Sequence, residues 1–155
     1  MKYVEQVLQP GEKVIYATSL HWLVYLRSIL LLILALVALA ASSTVPEQPG
    51  LSLGLKAAAA VLGLWALLSG LNAVIRRSTT ELAVTDRRVI FKTGVFRRNS
   101  MEMNLSKVET VGVNQSILGR ILGYGTVTVR GTGGSFEPVP FIGDPLAFRS
   151  TITAG

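Results

Sequence analysis

Five basic residues crowd one stretch of the chain: Arg87, Arg88, Lys92, Arg97 and Arg98. Guanidinium forks suit phosphate oxygens, and near a bilayer each basic residue contributes about 1 kcal/mol toward an anionic leaflet. With Val89–Lys92 extended, Arg88 and Lys92 lie an even number of residues apart and share a face. The five are therefore a candidate lipid-headgroup site. They also fit a general positive face that aids topology and solvation, since positive-inside bias alone places basic residues beside a membrane span.

Other chemistry is thinly provided. The chain has no cysteine, which excludes disulfides, thiolate zinc sites and cysteine nucleophiles. His21 is the only histidine, sits beside Trp22 and has no ligand cluster around it, so it reads as an interfacial side chain. Glu102 and Glu109 fall in adjacent extended runs, but Arg98, Lys107 and Arg120 make surface ion pairs the better reading than paired catalytic carboxylates. The glycines of Gly119–Gly125 (GRILGYG) run helix-then-strand, the reverse of a dinucleotide fingerprint, and read as turn glycines. No catalytic residue, metal or cofactor is expected, and the protein reads as a non-enzyme.

The elements that would position these residues divide between two solvents. Of 155 residues only 15% are charged, against roughly 25% in soluble domains. From Ser28 to Ile75 the only charges are Glu47 and Lys56. Residues 22–42 and 51–75 each supply the ~20 apolar positions that a ~30 Å hydrocarbon core demands. Trp22, Tyr25, Arg27, Arg76 and Arg77 are the expected interface anchors, with aromatics at the headgroup level and Arg27 snorkelling. The linker 43–50 is short, which forces an antiparallel hairpin. Lys2, Lys13, Arg27, Arg76 and Arg77 on one side outweigh Lys56 on the other, so both termini are expected in the cytoplasm; in a two-membrane bacterium the hairpin would sit in the inner membrane with its linker facing the periplasm. In the second span Ala59, Gly63, Ala66, Gly70 and Ala73 recur at spacings of four and three, a small-residue seam for close helix packing. Ser28, Ala35, Ala38 and Ser42 offer the same in the first.

From residue 76 to 155 the pattern changes to short alternating runs broken by turn residues, as in an antiparallel sheet or barrel. Glu81–Val84 and Val89–Lys92 flank a tight turn, and Gly125–Arg130 (GTVTVR) is the clearest strand. Ile117, Leu118, Ile121 and Leu122 have helical spacing, and Asp144 is placed to cap a short terminal helix. Eleven basic residues against six acids give this half a net charge of +5, which points to anionic lipid before nucleic acid. Residues 1–21 are expected to pack on this domain or at the interface, with 12–20 either a strand or an interfacial helix.

Thr80–Gly94 (TELAVTDRRVIFKTG) followed by Leu105–Arg130 (LSKVETVGVNQSILGRILGYGTVTVR) resembles the bacterial pleckstrin-homology-like (PH) domain, in its membrane-linked, YdbT-like form with two transmembrane helices. The resemblance covers residues 79–152. It implies a membrane helical hairpin plus an all-β PH-like barrel, strongly bent and roughly seven-stranded, with a short C-terminal helix. Glu81 departs from it, standing where an aromatic is usual. Fold alone assigns no activity. The expected function is a membrane-anchored adaptor or scaffold binding protein partners or itself at the cytoplasmic face, with no nucleic acid. The alternatives are a sensor of anionic lipid headgroups and a small transporter or channel subunit.

Overall fold

Alanine and leucine are strong helix formers, and the uninterrupted runs of both coil as expected. The computed structural model describes residues 2–94 and 99–154. It divides into a helical unit, Trp22–Ile75, and a second unit built from Met1–His21 with Arg76–Gly155.

In the helical unit a 3-10 turn, Trp22–Tyr25, leads into helix α2, Leu26–Ser43 (α1, Lys2–Val7, precedes it in the other unit). Helix α3 runs from Pro49 to Thr79. Proline is preorganised for a first helical position, so the helix opens earlier than the expected Leu51 and leaves a connection of only residues 44–48. It also continues past Ile75 through Arg76 and Arg77. Both helical segments, Trp22–Ser43 and Pro49–Thr79, are long and apolar enough to cross a bilayer. Their outer faces carry exposed Leu30, Leu36, Val37, Leu53, Leu64 and Leu67.

Between the two helices lie small residues every seventh position. Ala35 and Ser42 are buried on α2, and Ser52, Ala59, Ala66 and Ala73 on α3. A seven-residue repeat keeps one seam in contact along a left-handed crossing. The Ser52 hydroxyl ties the loop end by donating to the Ser42 carbonyl at 3.2 Å. Of the two seam glycines only Gly70 meets the partner helix: a Cβ there would stand 3.5 Å from the Ser28 Cβ. At Gly63 a Cβ would meet nothing within 4 Å. Gly70→Leu should therefore overpack the hairpin, costing about 1–3 kcal/mol, while Gly63→Leu leaves it unchanged. Thermal unfolding of the two variants in one detergent checks this; equal losses would place the seam elsewhere. The Arg27 guanidinium lies 5.5 Å from the centroid of the Trp65 ring, a cation–π contact.

The second unit is an antiparallel β structure. Its first sheet has the order β1 (Val14–Thr18), β2 (Glu81–Thr85), β3 (Arg88–Thr93), β4 (Asn99–Asn104). Residues 12–20 thus contribute a strand, with Ala17 opposite Ala83 and Thr18 opposite Leu82. The second sheet joins β5 (Val108–Asn114), β6 (Tyr124–Gly131) and the two-residue β7 (Gly134–Ser135), with β8 (Val139–Gly143) also paired to β6. Among the described residues the two sheets do not close into a barrel. The ladder stops at Asn104, where a 3-10 turn, Leu105–Lys107, turns the chain before β5 starts.

Strand alternation sorts the first sheet's side chains cleanly. Leu82, Val84, Val89 and Phe91 share one face, where Phe91 meets the Phe136 ring at 6.0 Å. That core continues into Val127, Val129, Val139 and Ile142. The terminal helix α5, Pro145–Ala154, closes it with buried Phe148 and Ile152, and the Asp144 carboxylate accepts from the Ala147 amide at 3.3 Å. Glu81, Ala83, Thr85, Arg88, Ile90 and Lys92 share the opposite face. Both faces are covered, which is why all five residues of β2 are buried.

Candidate functional site

The cover on that second face is the chain's own beginning. Helix α1, Lys2–Val7, lays Val4 against Ala83 and Ile90, with Tyr3, Val7 and Ala17 around them. A helix this short has too few internal hydrogen bonds to persist alone, so its ends are held by the sheet. At the first turn the Glu81 carboxylate accepts from the amides of Tyr3 (3.2 Å) and Val4 (3.1 Å). At the last turn the Arg88 Nη2 donates to the Val7 carbonyl at 2.8 Å. An acid at the amide end and a cation at the carbonyl end satisfy the groups a helix leaves unpaired. The acid at position 81 thus has a structural reason.

Arg88 does more than cap α1. Its Nε donates to Glu12 Oε1 at 2.9 Å and its Nη2 to Glu12 Oε2 at 2.8 Å, a bidentate fork. Its Nη1 donates to Glu102 Oε2 at 2.6 Å. Glu12 also accepts from the Thr85 hydroxyl (2.7 Å) and the Gln9 amide (2.8 Å). The Glu12 side chain is 0% exposed and that of Arg88 12%. Burial by itself would raise the Glu12 pKa; the hydrogen bonds from Arg88, Gln9 and Thr85 outweigh it and hold the carboxyl at about 2, against an ordinary 4.5. A depressed folded-state pKa contributes stability that is complete above the unfolded value and is lost as pH falls through the folded one. Thermal stability should hold down to about pH 4.5 and decline between there and about pH 2, with Glu12→Gln flattening this decline.

The expected headgroup residues separate on this geometry. Arg88 and Lys92 do share a face, but α1 covers it. Arg88 has its guanidinium committed to Glu12, Glu102 and Val7, and the Lys92 Nζ lies 4.8 Å above the Tyr3 ring. Arg87 is exposed in the turn between β2 and β3, where the Thr85 hydroxyl accepts from its amide at 3.2 Å. Arg97 and Arg98 lie outside the described residues. Glu12, which was not among the expected site residues, and Glu81, which stood out only as a departure from the family pattern, hold α1 and Arg88 in place. The signal in the sequence was Glu81 itself, an acid at a position where an aromatic is usual.

Two other surfaces stand open. Among the described residues, β4 pairs only with β3 and β5 only with β6, so each keeps an unpaired edge. The second is helix α4, Ile117–Leu122. Ser116 caps it by accepting from the Gly119 amide at 3.0 Å, and Gly123 ends it at φ +73°. A Cβ at Gly119 would stand 2.7 Å from the Tyr124 carbonyl, so this glycine sets how closely the helix backs onto the sheet. Tyr124 stacks between His21 (5.6 Å) and Phe141 (5.7 Å). Burial, and then the charge of Arg77, push the His21 imidazole below its ordinary pKa.

A family model for the bacterial PH domain matches residues 20–151, which takes in both long apolar helices, strands β2 to β8 and most of α5. No curated protein and no solved structure matches the chain. With the greater part of its length matched, and with the antiparallel sheets and terminal helix that such a domain requires, this chain is a member of the bacterial PH domain family.

Proposed function

We propose that this protein is an adaptor of the bacterial inner membrane. The helical hairpin crosses the bilayer and both termini lie in the cytoplasm. There the PH domain binds protein, other copies of itself included. The observation that carries this reading is the free edge of β5, with Thr110, Gly112 and Asn114 exposed along it. An unpaired edge supplies a row of amides and carbonyls to which a second chain adds a strand. The asymmetry of Lys2, Lys13, Arg27, Arg76 and Arg77 over Lys56 supports the orientation. Charges on an edge strand oppose such pairing. The double variant Thr110→Lys/Gly112→Lys should therefore lower the assembled fraction at least tenfold in single-particle mass measurements, with its circular dichroism unchanged. Undiminished assembly would remove β5 from the interface.

The lipid-sensor reading now rests on Arg87, Arg97 and Arg98, because Arg88 and Lys92 are engaged with the N-terminal segment. The observation that keeps it is the exposed Arg87 in a domain half of net charge +5.

A further inference from the structure

Helix α4 presents four large aliphatic side chains to the outside: Ile117 is 78% exposed, Leu118 62%, Ile121 74% and Leu122 41%. The helix does not need them to hold its place. Ser116, Gly119 and Gly123 fix its ends and its seat, and the Gln115 amide ties it to the Tyr124 carbonyl at 3.0 Å. A patch of this kind on a small domain marks a surface that something apolar covers.

Three observations identify the cover. The stretch from Asn114 to Gly123 has no acid and carries Arg120, exposed among the aliphatics. Aliphatic side chains with a cation between them are the composition of an interfacial helix. The second observation is continuity. Tyr124, directly after the Gly123 cap, stacks on His21, whose backbone amide donates to Phe141 and whose next residue, Trp22, opens the first apolar helical segment. Tyr124 and the exposed Phe141, held at φ +60°, extend an aromatic group of the sort found at headgroup level. The third is the net charge of +5 in this half of the chain, which complements an anionic leaflet.

We propose that α4 is a second membrane contact: Ile117, Leu118, Ile121 and Leu122 enter the interfacial layer of the leaflet from which the hairpin emerges, with Arg120 at the headgroups. This rests on the reading that the two helices cross the bilayer, and the test separates the two. The chain has no cysteine, so single spin labels are placed on the full-length protein at Ile117→Cys, Ile121→Cys, Val37→Cys in α2 and Thr153→Cys as an aqueous reference. Each is reconstituted at one copy per nanodisc of phosphatidylcholine and phosphatidylglycerol. Labels at 117 and 121 should be at least tenfold less accessible to a water-soluble paramagnetic quencher than the label at 153. The proposal is overturned if they match 153 while 37 stays protected, since the spans then stand without the contact. Protection that requires two copies per disc also overturns it, in favour of a contact between copies. If 37 is as accessible as 153, the spanning reading has failed and this one with it.

Discussion

Arg88→Met should destabilise the PH domain by about 3–5 kcal/mol, because it leaves the fully buried Glu12 carboxylate without its partner. The loss is one of fold rather than of ligand binding. Urea unfolding of the full-length protein in detergent, followed by tryptic resistance of the domain, measures it. The double variant Arg88→Met/Glu12→Met should recover most of the loss, since exchanging a buried ion pair for apolar side chains is often neutral. Recovery will be incomplete: Arg88 also holds the Val7 carbonyl and Glu102. A headgroup ligand behaves in the opposite way. Its removal lowers affinity for anionic vesicles and leaves unfolding where it was, and that pattern would contradict the structural role given to Arg88.

Deleting residues 1–21 should abolish the domain's cooperative unfolding. The deletion removes β1 from the edge of β2, uncovers Ala83 and Ile90, takes Glu12 and the Val7 carbonyl from Arg88 and takes the Tyr3 and Val4 amides from Glu81. No single hydrogen bond accounts for this. The first sheet is a sandwich whose outer layer comes from the far end of the chain, across a helical hairpin that lies between them in sequence. Residues 76–155 alone should therefore fail to fold independently, and vesicle binding by such a fragment should report on exposed apolar surface. A sharp thermal transition for residues 76–155, matching that of the whole protein, would show that the N-terminal segment is an accessory.

What was legible in the sequence was whatever local pattern dictates. The alternation of GTVTVR gave β6, the turn between Val84 and Val89 separated β2 from β3, and the helical spacing of Ile117, Leu118, Ile121 and Leu122 marked α4. Of the expected seam, Ala59, Ala66 and Ala73 are buried on α3, but spacing did not reveal that a Cβ at Gly63 would meet nothing while one at Gly70 would meet Ser28. What escaped were partnerships across long separations. Glu12 and Arg88 stand 76 residues apart, and Val4 and Glu81 stand 77. Type and spacing mark such residues as charged but do not say what they face. Arg88 therefore reads as a surface arginine until the sheet register and α1 are seen together. Closure of the barrel was over-read for a related reason: the 3-10 turn at Leu105–Lys107 has no sequence signature distinct from the extended residues around it.

An adaptor that works through its free sheet edges must assemble. The most direct measurement is the mass of the full-length protein purified in lipid nanodiscs, with every co-purifying polypeptide identified. The expected result is a defined assembly, either a fixed multimer of this chain or a complex of constant stoichiometry with one other protein. A monomer accompanied only by lipid would contradict the adaptor reading and return the function to the leaflet and the basic turn at Arg87.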